Sequence, residues 1–140
     1  MAEHSKFPVE VLTPDGEVFS EDVQMISTKT TIGSIGILAN HTPLLAMLDP
    51  TELRLYRSDS DIVRFAQSEG YLQVGGNRAL LLVEEAHEPG ALDAAELRDR
   101  LQHAERELDD AGEDSERRRV AERDKRRWEA FLRIAEGGGS

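Results

Sequence analysis

The chain contains no cysteine among its 140 residues, which excludes a disulfide framework and a thiolate-bound metal and fits a reducing cytoplasm. Its four histidines, His4, His41, His87 and His103, show no metal-ligand spacing. A glycine-rich phosphate loop is also missing. No apolar run approaches the ~20 residues that span a bilayer. The first twenty residues include Glu3, His4, Lys6 and Glu10, so they cannot supply the apolar core of a signal peptide. Proline is absent after Pro89 and, in the stretch from Asp93 to Glu136, Gly112 is the single glycine. Enzyme classes that need a Cys/His nucleophile pair, a metal cluster or a phosphate cradle therefore lose their support, and no cofactor is expected. The acid pair Glu84-Glu85 is adjacent in sequence, so on a strand its carboxylates would face opposite ways and could not act together.

The charge that is present is mostly negative, with a formal net of −11. Residues 1–92 hold fourteen acids against six bases, and residues 93–136 hold fourteen against eleven. Such a first part opposes phosphate backbones, so nucleic acid is not an expected partner. An acidic surface also keeps a protein in solution.

Punctuation divides the chain near His87–Leu92. Before it, all five prolines and most glycines mark turns between short strands. Phe7, Val9 and Val11 alternate on one face and stop at Pro14-Asp15-Gly16. Val18–Ser27 resumes, with Val23 and Met25 expected inward. Gly33 and Gly36 read as two glycine corners, followed by Ile37-Leu38, the polar turn Ala39–Thr42, and the apolar run Leu44–Leu48. Leu53 and Leu55 alternate with Arg54 and Tyr56, and Ile62–Ala66 follows the Ser58–Asp61 turn. Tyr71–Val74 leads through a hairpin turn at Gly75-Gly76-Asn77 into Ala79–Val83, whose unbroken apolar run reads as a buried strand. Strands at this spacing indicate an all-β sandwich or barrel.

After the boundary the grammar becomes helical. Leu97, Leu101, Ala104 and Leu108 recur at four, three and four residues, one apolar stripe. Asp93 and Glu96 have the spacing of a capping box. Gly112 ends this helix, and a second begins near Asp114 or Ser115, bearing Val120, Trp128, Phe131, Leu132 and Ala135. Acid-before-base pairs at i,i+4 (Glu113–Arg117, Asp114–Arg118, Glu122–Arg126, Glu129–Arg133) would each add about 0.2–0.5 kcal/mol. The expected organisation is α+β: a β-sandwich over residues 1–90, a two-helix hairpin over 91–136, and a flexible tail over 137–140.

Four stretches carry a resemblance in combination: VEVLTPDGEVFSEDV, TTIGSIGILANHTPLLAML, FAQSEGYLQV and NRALLLVEEA. Together with the order of sandwich and charged hairpin, they make the chain resemble the epsilon subunit of F-type ATP synthases over nearly its whole length. The resemblance implies a ten-stranded sandwich and two C-terminal helices in a non-catalytic rotor subunit. It implies docking on the gamma subunit of the central stalk and a seat above the membrane ring of c subunits, peripheral to the cytoplasmic face of a bacterial membrane without inserting into it. Carried onto this chain, the ring-facing loop is Thr31–Ile35, including Gly33 and Ser34, and His41 lies near the stalk interface. Ser34 stands where some members have an acidic residue, and Ala39-Asn40 stands where members often have Pro-Gly.

The resemblance also implies that the hairpin can extend toward the alpha and beta subunits of the catalytic head and block hydrolysis. Arg117, Arg118, Arg119, Arg123, Lys125, Arg126 and Arg127 would present positive charge there. The alternative for these residues is a solvated helix whose bases pair with its own acids. Some members bind ATP between the two helices through an Ile/Leu-Asp-x-x-Arg-Ala motif. Here Leu92-Asp93 and a later Arg127 match, but Glu96-Leu97 stands where Arg-Ala would be, and a carboxylate there opposes a phosphate. Weak ATP binding or none is expected, with Asp93 serving as a helix cap. An ATP-sensing regulatory module is the alternative function.

Overall fold

A computed structural model of the chain describes residues 4–137. The expected tail lies outside the described residues apart from Gly137. The chain forms two compact units, one ending at Glu88 and the other beginning at Pro89.

The first unit is built from ten strands: β1 (Phe7–Thr13), β2 (Gly16–Val23), β3 (Met25–Thr30), β4 (Gly33–Leu38), β5 (Leu44–Leu48), β6 (Thr51–Tyr56), β7 (Ile62–Gln67), β8 (Gly70–Gly75), β9 (Arg78–Val83) and β10 (Ala86–His87). Their hydrogen-bonded order is β10-β7-β6-β3-β5-β8-β9-β1-β2, with β4 paired to β3 off this path. Every pairing is antiparallel except β1 with β9. The sheet folds over on itself into a sandwich close to a barrel. Phe19 on β2 meets Phe65 on β7 edge to face, with ring centroids 6.4 Å apart. That contact brings together strands from opposite ends of the bonded order.

Period-two alternation fills the interior. Val9, Val11, Ile26, Ile37, Leu53, Leu55, Leu72 and Leu81 are all essentially closed to solvent. Each such side chain contributes about 1.5–3 kcal/mol relative to leaving it exposed. The β8–β9 hairpin closes through Gly76 and Asn77, with φ of 58° at both, the paired left-handed geometry of a type I′ turn.

In this unit the structure departs from the sequence expectation at three places. The stretch Val18–Ser27 is two strands, broken at Gln24, which hydrogen-bonds to Asp59 and to Tyr56. The break shifts the alternation, so Val23 and Ile26 point inward while Met25 is only half-buried. Gly36 is not a corner: it lies within β4 opposite Ser27. Finally, β9 is not buried on both faces, because Leu82 is exposed.

The second unit holds a short 3₁₀ turn (Pro89–Ala91) and two helices, α1 (Ala94–Ala111) and α2 (Ser115–Ala135). Asp93 caps α1, its Oδ1 accepting from the amides of Ala95 and Glu96 at 3.0 and 3.3 Å. Asp114 caps α2 by accepting from the Arg117 amide at 3.1 Å. Leu97, Ala104 and Ala111 of α1 are buried with Ala121, Ala130, Phe131 and Ile134 of α2. Of the stripe expected on α1, Leu97 and Ala104 are buried in this seam, which extends to Ala111, while Leu101 and Leu108 are half-buried. Of the residues expected on α2 only Phe131 is buried, and Ala121, Ala130 and Ile134 take the inner positions in place of Val120, Leu132 and Ala135.

Candidate docking surface

Strand register assembles an apolar surface that composition alone does not reveal. On β8 and β9 the inward positions are Leu72, Val74, Ala79, Leu81 and Val83, all buried. Side chains alternate along a strand, so the residues between them face outward. Met47 of β5 pairs with Tyr71 of β8, and Tyr71 pairs with Leu82 of β9. Three apolar side chains therefore stand in one row across adjacent strands about 5 Å apart. The row reaches Leu12 of β1, which pairs with Leu82. Two residues before Met47, Leu45 lies beside Gln73, which in turn lies beside Leu80. Leu45 is 73% exposed, Met47 57%, Tyr71 52% and Leu82 44%. Singly exposed apolar residues are ordinary, but a contiguous set of this kind marks a binding surface.

The β3–β4 hairpin forms a second feature. Thr30 pairs with Gly33, which leaves Thr31 and Ile32 as the connecting residues. The Thr30 hydroxyl donates to the Gly33 carbonyl at 2.9 Å and accepts from the Ile32 amide at 3.2 Å. The Thr31 amide donates to the Met47 carbonyl at 3.0 Å, tying the tip to β5. Thr31 and Ser34 are exposed, Gly33 is half-buried, and Ile32 is 96% exposed at the end. Ile35 packs partly against the core.

His41 lies beyond the other end of β4, about 20 Å along the strand by its rise per residue. Its amide donates to the Leu38 carbonyl at 3.3 Å, and its Nδ1 is 2.6 Å from the Thr42 carbonyl. The neighbouring Asn40 amide donates to the Asn77 side chain at 2.8 Å, which joins this turn to the β8–β9 turn. Thr31–Ile35 and His41 are thus two separate places. Strand β5, with Leu45 and Met47, runs from one to the other.

On the hairpin most of the named arginines face their own acids. Arg117 lies 3.6 Å from Glu107 of α1, and Arg118 lies 3.6 Å from Glu122. Arg119 bonds Glu116 at 2.7 Å and holds that carboxyl below the ordinary glutamate range. Arg123 contacts Asp124 at 3.0 Å. None of these is one of the expected acid-before-base pairs: Arg118–Glu122 keeps the i,i+4 spacing with the base first, and Asp114 is engaged as a cap. Arg126 is exposed, whereas Arg127 is buried, its guanidinium 5.4 Å from the Trp128 ring centroid. Glu96 pairs with Arg100. A groove of about 390 Å³ between the helices is lined by Glu96, Asp99, Arg100, His103, Asp124 and Trp128. Its carboxylates outnumber its guanidinium. No group of side chains suited to a metal ion occurs among the described residues. None of their helices is long and apolar enough to cross a membrane.

An exposed apolar row of this kind is suited to covering by a partner. Residues 6–89 match the family described as ATP synthase, Delta/Epsilon chain, beta-sandwich domain. The ATP synthase epsilon chain of Sulfurihydrogenibium sp. (strain YO3AOP1) is 33% identical over 129 residues, covering 92% of this chain and 96% of that one. The chain belongs to the ATP synthase epsilon family. A second epsilon chain, from Ligilactobacillus salivarius, is 32% identical over 96% of this chain and 94% of its own length. Among solved structures, a chain of the Euglena gracilis mitochondrial ATP synthase OSCP/F1/c-ring assembly shares the fold with a TM-score of 0.75 at 20% identity, over 94% of this chain and 87% of that one. A chain from the Tetrahymena thermophila central stalk and c-ring gives 0.61 at 20% identity, over 96% and 99%. As an epsilon-family member, the chain is a subunit of an ATP synthase complex. Residues Thr31–Leu45, within the TTIGSIGILANHTPLLAML stretch that carries the resemblance, span the β3–β4 tip, strand β4, the His41 turn and the start of β5. The outer row of β5, β8 and β9 is what sequence reasoning missed.

Proposed function

We propose that this chain is a non-catalytic rotor subunit of a proton-translocating F-type ATP synthase, docked on the gamma subunit of the central stalk. The observation that carries the proposal is the exposed row Met47–Tyr71–Leu82 with Leu45 beside it. It lies wholly within the residues that match the family. A surface of that kind needs a partner, and covering the apolar area it still exposes favours association at about 25 cal/mol per Å² before the costs of binding. The β3–β4 tip, Thr31–Ile35 with Ile32 at its end, meets the ring of c subunits, and His41 borders the stalk contact. The subunit sits peripherally at the cytoplasmic face of a bacterial membrane and turns with the stalk.

The hairpin over residues 91–136 is the regulatory element. When it extends it meets the alpha and beta subunits of the head, with Arg117, Arg118, Arg119, Arg123 and Arg126 facing acidic groups, and it slows ATP hydrolysis. A weak or absent response to ATP goes with this reading. Asp93 is engaged as a cap, Arg127 lies against Trp128, and Glu96 and Asp99 line the interhelical groove. The test adds the full chain to an ATP synthase preparation stripped of its own epsilon subunit. Hydrolysis should fall, and a chain ending at residue 90 should bind without lowering it. An added full chain that binds yet leaves hydrolysis untouched would remove the inhibitory role. Micromolar ATP binding in calorimetry would instead favour the ATP-sensing alternative.

A further inference from the structure

We propose that Trp128 is the latch of the helical hairpin, and that Arg100 is the positioning residue that holds α1 onto it. At the helix–helix seam α1 buries Leu97, Ala104 and Ala111 and half-buries Leu101 and Leu108. The buried residue one turn beyond Arg100 is an alanine, Ala104, which contributes little apolar area. On α2 the large buried apolar groups are Phe131 and Ile134. Phe131 is buried, and Trp128 meets it edge to face with centroids 5.9 Å apart.

The guanidinium of Arg100, on α1, lies 4.9 Å from the Trp128 ring centroid, and that of Arg127 lies 5.4 Å from it. Both distances fall within the range of a cation–π contact. Glu96, one turn earlier on α1, pairs with Arg100 and orients it. Trp128 is half-buried, and part of its surface forms the wall of the interhelical groove. Charged ties between the helices also include Arg98–Glu136 at 2.8 Å and Arg117–Glu107 at 3.6 Å. All four of those side chains are close to half exposed or more, and exposed ion pairs add little. The stack on Trp128 differs from them in resting on a half-buried ring that continues into the buried Phe131. The latch is made from the chain's own residues and needs no ligand to close.

Trp128 is the chain's single tryptophan, so its fluorescence reports on the latch directly. The experiment measures amide hydrogen exchange and tryptophan emission on the free, full-length protein. Arg100→Gln should speed exchange of α1 and α2 by about 2–5-fold and shift the emission to the red. Trp128→Ala should speed it by about 10-fold or more. Amides of the β-sandwich should exchange at the unaltered rate in both. The double variant should open no faster than Trp128→Ala alone, because Arg100 acts through the ring. Arg98→Gln, which removes an exposed ion pair, should change the helices by less than about 2-fold. Two results overturn the proposal. One is helix exchange unaltered in Arg100→Gln, a variant that leaves the apolar seam intact. The other is equal opening by Arg98→Gln and Arg100→Gln. Neither depends on whether the hairpin inhibits hydrolysis.

Discussion

Of the glycines in the sandwich, Gly70 has the least room for a side chain. A Cβ there would collide with the Leu82 carbonyl and lie 2.8 Å from the Val83 Cα. Because β8 and β9 carry the outer row, a shift at Gly70 would disturb the docking face as well as the core. Gly70→Ala should lower stability by about 1–3 kcal/mol, the range for overpacking, measured by urea denaturation. Gln67 is constrained for a different reason. Its side chain is fully buried, accepts from the Thr28 hydroxyl at 2.7 Å and donates to the Asp49 carbonyl at 2.8 Å. It thus ties β7 to β3 and to the β5–β6 turn. Gln67→Leu removes the acceptor of the buried Thr28 hydroxyl and should lower stability by about 1–3 kcal/mol. Neither role could be read from the sequence. FAQSEGYLQV stands out there as a family stretch, but it does not say that Gln67 faces inward or that a neighbouring backbone crowds Gly70.

At the scale of elements, turn chemistry made most strands legible. Pro14-Asp15-Gly16 and Gly76-Asn77 sit where the chain reverses, and Leu53 and Leu55 alternate inward as expected. The errors have one physical source, which is that period-two alternation depends on knowing every break. An unbroken Val18–Ser27 strand would keep Val23 and Met25 on one face; the break at Gln24 puts Ile26 there instead. Ala79–Val83 reads as buried on both faces because apolar outward residues look the same whether a core or a partner covers them. The exposed row was hidden by that ambiguity. β10 and the 3₁₀ turn are too short to leave a pattern. The helices were clearer, since caps and seam occupy fixed positions. Asp93→Ala removes the acceptor for two amides of α1 and should lower the stability of the hairpin by about 1 kcal/mol. Hydrogen exchange of the first turn of α1 would read this. The Glu116–Arg119 pair carries a pH signature. The lowered carboxyl contributes stability above the ordinary glutamate value of 4.5 and loses it as pH falls through its folded value. Proton titration of Glu116 by NMR should find it below that value, and Arg119→Gln should return it there.

For the whole molecule, a net charge of −11 and an uncharged apolar row serve separate ends. The charge opposes unspecific association, and the row provides one place where association is favourable. Family membership, fold class and the TTIGSIGILANHTPLLAML stretch were legible in the sequence. The exposed apolar row emerged only from register and exposure. The most direct measurement is the affinity of the full chain for a gamma-containing subcomplex, compared with that of Tyr71→Asp. Tyr71 stands at the centre of the row, and a charge there would be buried against the partner. Docking through this row predicts at least a ~30-fold rise in Kd, which corresponds to about 2 kcal/mol. The fold should be retained, because Tyr71 is half exposed in the free chain. An unchanged Kd for the folded variant would contradict docking through the β5–β8–β9 face.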